Sequence, residues 1–137
     1  MPFVLDASIV ACRAFADEGH PVADLALDRV RADEAQMPAL WWFEVRTILI
    51  VNERRGRLTD SDTTAFLRQL GRMRVAVDRS PVETDVLMLA RLRRLSVYDA
   101  SYLELARRHR VPLATLDPEL IASVASAGVL LIGHAVS

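Results

Sequence analysis

Four carboxylates occupy positions where a parallel α/β domain would bring them together. They are Asp6 in Phe3-Val4-Leu5-Asp6-Ala7-Ser8, Glu44 in a Trp/Phe/Val/Ile run, Asp99 in Val97-Tyr98-Asp99-Ala100-Ser101 and Asp117 in Leu116-Asp117-Pro118. Three stand where an apolar stretch gives way to a new helix, and the fourth interrupts a helix otherwise devoted to the core. If the four converge, like charges raise one another's pKa values, and a divalent cation resolves the conflict. All-oxygen ligands suit hard ions, so the expected ion is Mg²⁺ or Mn²⁺. Held by carboxylates, such an ion activates water and stabilises the leaving oxygen in phosphodiester cleavage.

Supporting groups sit two residues away on either side. Ser8 follows Asp6 and Thr115 precedes Asp117, so their hydroxyls can orient a carboxylate or a bound water, or simply satisfy local backbone groups. Zinc is not expected, because His20, His109 and His134 are widely separated and Cys12 has no partner at a metal-binding spacing. All 17 basic residues are arginine. Mechanisms that need lysine are therefore excluded: a P-loop, a Schiff base, or the lysine partner of a phospho-accepting aspartate.

Each acid also has a plain structural explanation. Asp99 before Ala-Ser, Asp117 before Pro-Glu and Asp6 before a helix are all good N-caps, and Glu44 could pair with an arginine. Glu44 is the sharpest of the four, because Leu40, Ile48 and Val51 share its helical face and a buried glutamate needs a partner or a job.

The elements that must position these groups alternate along the whole chain. Strands are expected at Pro2 to Leu5, Ala35 to Met37, Val75 to Val77, Val111 to Thr115 and Val129 to Ile132. Helices are expected from Asp6 to about Asp17, around Val22 to Val30, from Leu40 to Arg55 with Gly56 as its αL terminator, and after a cap at Thr59. Further helices follow Ser80-Pro81, run from Asp99 to His109, and run from Pro118 to Ser126. This order implies a three-layer αβα sandwich around a parallel sheet of four to five strands, with right-handed crossovers. In such sheets ligands bind outside the carboxyl ends of the strands, where Asp6 and Asp117 fall.

Length and composition agree with a single domain spanning residues 1–137. With 52% apolar and 26% charged residues the chain has no sign of disorder. A lone cysteine points to a reducing, cytoplasmic compartment, with no signal peptide and no apolar run near the eighteen or so residues needed to cross a bilayer. The net charge is −1. Setting the four acids aside leaves 14 against 17 arginines, a mildly basic remainder. Arginines cluster at Arg54, Arg55 and Arg57, at Arg91, Arg93 and Arg94, and at Arg107, Arg108 and Arg110. Two readings stand: guanidinium groups for single-stranded or looped RNA, or helix C-termini complementing the macrodipole.

Taken together, Val4-Leu5-Asp6-Ala7-Ser8, Glu44 after Pro38, Tyr98-Asp99-Ala100-Ser101-Tyr102-Leu103-Glu104-Leu105-Ala106 and Leu113-Ala114-Thr115-Leu116-Asp117 resemble the PIN-domain ribonucleases, specifically bacterial toxins of the VapC type. The resemblance covers essentially the whole chain. It implies a PIN-like fold and a Mg²⁺- or Mn²⁺-dependent endoribonuclease whose acidic quartet matches Asp6, Glu44, Asp99 and Asp117. Ser8 and Thr115 match the family's supporting hydroxyls. It further implies a toxin of a two-gene toxin–antitoxin system, an RNA substrate, a homodimer and a cognate antitoxin that blocks the site, with no organic cofactor. The alternative is a catalytically silent PIN-fold RNA-binding or interaction module. Trp41 and Trp42 adjoin Glu44, and since adjacent helical residues lie about 100° apart, one of them is expected to be exposed and available to a base or a partner.

Overall fold

In the computed structural model, which describes residues 1–15 and 20–133, strands and helices alternate as the sequence requires. The order is β1 (Phe3–Leu5), α1 (Ala7–Arg13), α2 (Pro21–Arg29), β2 (Ala35–Pro38), α3 (Trp41–Arg54), α4 (Asp60–Leu70), β3 (Val75–Asp78), α5 (Glu83–Arg93), α6 (Val97–His109), β4 (Leu113–Ala114) and α7 (Pro118–Val124). The four strands are parallel in the order β3-β2-β1-β4. Phe3 lies opposite Ala35, Ala35 opposite Val75 and Val4 opposite Leu113.

Strand order decides where the helices go. The chain moves one way across the sheet from β1 to β2 to β3, then doubles back past β1 to β4. Right-handed crossovers therefore place α1 to α4 over one face and α5 to α7 over the other. The packing follows this division: α1 lies on α2 and α3, while α6 lies on α5 and α7. Phe3, Val4 and Leu5 are fully buried between the layers, and α6 is buried on every side from Ala100 to Ala106. A strand covered on both faces reads as a continuous apolar run, which is what β1 is. Among the described residues, no helix is long and apolar enough to cross a membrane.

Local signals set several boundaries. Thr59 accepts from the Asp62 N–H and Asp62 answers to the Thr59 N–H, a complete capping box for α4. Gly56, at φ +75°, closes α3 through bonds from its own N–H to Glu53 and from the Arg57 N–H to Asn52. The expected fifth strand shrinks to one parallel bridge, Leu113 to Leu131. Its partner β4 is only two residues long, so there is little edge left to pair with. The first helix ends at Arg13, and its expected extension to Asp17 lies outside the described residues. The helix expected from Ser80-Pro81 begins at Glu83, with Val82 as an N-cap whose N–H reaches across to Glu104. The sixth helix starts two residues before Asp99, because Ser96 caps it.

Arginine clusters fall at helix ends, as the macrodipole reading has it, and several guanidinium groups are already engaged. Arg108 joins Asp78 at 2.7 Å and Glu104 at 2.8 Å. Arg57 lies over the Phe15 ring. Arg94 and Arg110 take αL backbone, at φ 52° and 56°, and each is followed by a buried apolar residue, Leu95 or Val111, that closes the turn. A side chain in αL costs energy that glycine does not. Replacing exposed Arg94 with glycine is expected to stabilise the fold by about 0.5–1 kcal/mol. Urea unfolding checks this, and a lower midpoint would show that the arginine side chain contributes more than its backbone costs.

Candidate active site

The site lies where the chain reverses direction across the sheet. β1 and β4 are neighbours, but the chain leaves β1 toward one face and leaves β4 toward the other, so their carboxyl ends open into a crevice. Asp6 follows β1 and Asp117 follows β4 by three residues. Asp99 is brought in by α6 and Glu44 by α3, from opposite faces.

Asp6 is the interior member, 5% exposed. The Ser8 hydroxyl donates to its Oδ2 at 2.6 Å, and the Thr115 hydroxyl donates to the same oxygen at 2.7 Å. Ser8 Oγ in turn accepts the Leu116 N–H, and Thr115 Oγ1 accepts the Asp117 N–H, both at 3.0 Å. The loop after β4 is thus tied to the end of β1, and both expected supporting hydroxyls act on one carboxylate. Asp6 stands at the N-cap position of α1 yet makes no side-chain capping bond. Capping does not explain it.

The other acids separate cleanly. At α6 the cap is Ser96, whose Oγ accepts the Asp99 N–H at 3.0 Å, and this places Asp99 in the first turn with another residue filling the cap. Asp117 does cap, since its Oδ1 accepts the Glu119 N–H at 2.9 Å. It also faces Asp99, so the structural and chemical roles coincide in one side chain. Glu44 lies on the flank of α3, half-buried beside Leu40, Ile48 and Val51, while Trp41, Val45, Leu49 and Asn52 form the buried face. Its Oε1 accepts a 2.6 Å hydrogen bond from the Tyr102 hydroxyl.

Ligating spacing is met by Asp99, Asp117 and Glu119, whose oxygens all lie within 4.8 Å of one another. Asp6 and Glu44 stand behind this trio and act on it through charge. Burial pushes Glu44 up to about 7, with Asp6, Asp99 and Asp117 adding to the rise against the opposing Tyr102 bond. Burial and then Asp117 and Asp6 push Asp99 up to about 6. Asp6 is raised by burial above all, though Ser8 and Thr115 oppose the rise. Among the described residues no arginine pairs with any of these acids. The donor set is all carboxylate and crowded enough to hold its own protons, so it fits a hard divalent cation. The two described histidines are engaged elsewhere, His20 capping α2 and His109 bonding Gln36, and His134 lies outside the described residues.

Two participants were not foreseen. Glu119 was readable only as a first-turn acid after Asp117-Pro118, and Tyr102 meets Glu44 across 58 residues of sequence, which no local pattern encodes. The tryptophans divide as expected, Trp41 buried and Trp42 51% exposed. Trp42 lies about 160° around α3 from Glu44, away from the crevice. There it stacks under the Arg46 guanidinium, 3.9 Å from the ring centroid, and meets Phe43 edge-on.

A carboxyl whose pKa is raised on folding binds its proton more tightly in the folded chain, so folding gains as pH falls through the interval between the two values. For Glu44 that interval runs from about 7 down to 4.5, and for Asp99 from about 6 down to 3.8. Asp78 acts in the opposite sense, since Arg108 holds it low, but its loss begins only below 3.8. The metal-free chain is therefore expected to melt at a higher temperature at about pH 5 than at about pH 8, and Asp99→Asn should flatten that slope. Calorimetry across the range checks this, and a melting temperature that falls on acidification would contradict the crowding.

The sequence matches the PIN domain family over residues 3–126. It is 31% identical over 123 residues to Ribonuclease VapC3 of Pyrobaculum aerophilum, covering 88% of this chain and 92% of that protein. Among solved structures it is similar to PAE2754 of the same organism, with a TM-score of 0.71 at 25% identity over 95% of this chain and 83% of that one. FitAcB of Neisseria gonorrhoeae shares the fold at a TM-score of 0.66 and 15% identity, covering 96% of each chain. VapC20 of Mycobacterium tuberculosis, a sarcin-ricin loop cleaving toxin, shares it at 0.58 and 16% identity, covering 88% of this chain and 93% of that one. With residues 3–126 matched to the family and the acid crevice at the sheet's reversal point, the chain belongs to the PIN domain family, on its VapC branch.

Proposed function

We propose that the chain is a divalent-cation-dependent endoribonuclease, the toxin of a type II toxin–antitoxin pair, with the acid crevice as its active site. The observation that carries this reading is the gathering of Asp6, Glu44, Asp99, Asp117 and Glu119 with no cationic partner among the described residues. Protons relieve such repulsion in acid, and near neutral pH a divalent cation relieves it. The likeness to Ribonuclease VapC3 supports RNA as the substrate.

Asp99, Asp117 and Glu119 would hold Mg²⁺ or Mn²⁺, with the free oxygens of Asp6 and Glu44 completing the acid wall. A bound ion of this kind supplies activation of water and stabilisation of the departing oxygen in phosphodiester cleavage. The residues supply the rest. Ser8 and Thr115 fix Asp6 through Oδ2. Glu44, with Oε1 engaged by Tyr102 and a pKa near neutrality, can accept or return a proton at Oε2. Asp117 keeps its place because its backbone and carboxylate are both bonded.

The same reading gives the chain a cytoplasmic site of action, a cognate antitoxin and a homodimeric state. VapC20, a toxin of this fold, is in keeping with the toxin part of that reading. The exposed pair Trp42 and Phe43 at the start of α3 offers a surface to a protein partner.

Asp6→Asn and Asp99→Asn are expected to lower RNA cleavage at least about 100-fold while the fold survives, because each removes a charge that the reaction needs. Wild-type cleavage should stop with EDTA and return with Mn²⁺. Cleavage that persists in EDTA would overturn the cation, and none under any condition would leave the silent module as the reading. Mn²⁺ at about 100 times its Kd should also raise Tm by about 5–10 °C, a rise that Asp99→Asn should largely abolish.

A further inference from the structure

We propose that Tyr102 is a positioning residue for Glu44: its hydroxyl pins that carboxylate at the crevice and so sets how tightly the acid cluster binds its divalent cation. This rests on the metal-dependent nuclease reading and goes beyond the acidic quartet and its two hydroxyls.

Geometry carries it. Tyr102 is 0% exposed and among the largest fully buried side chains, locked in α6 where every residue from Ala100 to Ala106 is buried. Its hydroxyl nonetheless emerges at Glu44, 2.6 Å from Oε1, on a helix that covers the opposite face of the sheet. A rigid ring therefore presents one donor to one flexible acceptor. Glu44 has three rotatable bonds and a half-exposed position, so without that donor its carboxylate is free to turn toward bulk water, away from Asp6 and Asp99.

The bond has a fixed polarity. Glu44 as a carboxylate can only accept, so the Tyr102 hydroxyl is the donor. The arrangement also repeats what Ser8 and Thr115 do at Asp6. In each case a hydroxyl donates to one named carboxylate oxygen, Oδ2 on Asp6 and Oε1 on Glu44. Such outer partners are worth about 10–100-fold in metal affinity or activity. Tyr102 thus stands to Glu44 as Ser8 and Thr115 stand to Asp6.

The test compares wild type, Tyr102→Phe, Glu44→Gln and the double variant by Mn²⁺ titration calorimetry and RNA cleavage, with thermal melts as a fold control. Tyr102→Phe keeps the ring and removes only the oxygen. It is expected to weaken Mn²⁺ binding and cleavage about 10-fold or more, while the double variant is no worse than Glu44→Gln alone. Wild-type Mn²⁺ affinity and rate in Tyr102→Phe would overturn the proposal, as would losses that multiply in the double variant. A second measurement does not depend on that variant folding. In Tyr98→Phe the only phenol left is Tyr102, and its ultraviolet resonance Raman doublet should report a strong donor bond with and without Mn²⁺. A doublet lacking the donor signature, or losing it on adding Mn²⁺, also overturns it. A wild-type chain with no Mn²⁺-dependent cleavage removes the nuclease reading and this one with it, whereas an active wild type beside an unaffected Tyr102→Phe removes only this one.

Discussion

The rest of the molecule is arranged around an electrostatic conflict, the burial of an ionisable carboxylate at the end of the central strand with others crowded against it. Asp6 is nearly inaccessible, and both of its hydroxyl donors are needed to offset the cost of taking it out of water. Those donors are also structural ties, since Ser8 receives the Leu116 N–H and Thr115 receives the Asp117 N–H. The same network that tolerates the charge fixes the loop between β4 and α7. Site and fold share their hydrogen bonds.

The topology places this conflict where it can be useful. Because β1 and β4 are adjacent but their onward connections diverge, a crevice opens at their carboxyl ends, and acids from four separate segments reach it. Away from that edge the charges are neutralised in the ordinary way, as with Arg108 between Asp78 and Glu104. The contrast is informative. Arginines are available in the chain, and those of the clusters at Arg54, Arg91 and Arg107 fall toward helix C-termini, where they answer the macrodipole.

Much of this was legible from local patterns. The alternation of strands and helices, Gly56 at αL and the Thr59 capping box depend on residues near one another in sequence, and each is present in the fold, apart from the fifth strand. What was not legible depended on distant partners. Helix α6 begins at Val97 because Ser96 captures the Asp99 N–H, which the eye passes over in favour of the aspartate itself. The run from Val129 to Ile132 has strand character, yet a two-residue β4 leaves it one bridge to make. Tyr102 is core, but its one polar atom meets Glu44, a meeting set only by how α3 and α6 lie across the sheet. Glu119 became part of the acid group only when the turn at Asp117 folded it back toward Asp99.

The division of labour at the two helix starts has an evolutionary corollary. At α6 the end of the helix is secured by Ser96, so the shape of the chain is indifferent to what stands at 99. At α7 the same carboxylate both secures the helix and joins the acid group. Drift at 99 would therefore thin the acid group silently, leaving a descendant with the same helix cap and the same fold. Drift at 117 would announce itself as a loosened fold and be removed sooner. A carboxylate on the sixth helix is accordingly easier for the fold to lose than the one that opens the seventh.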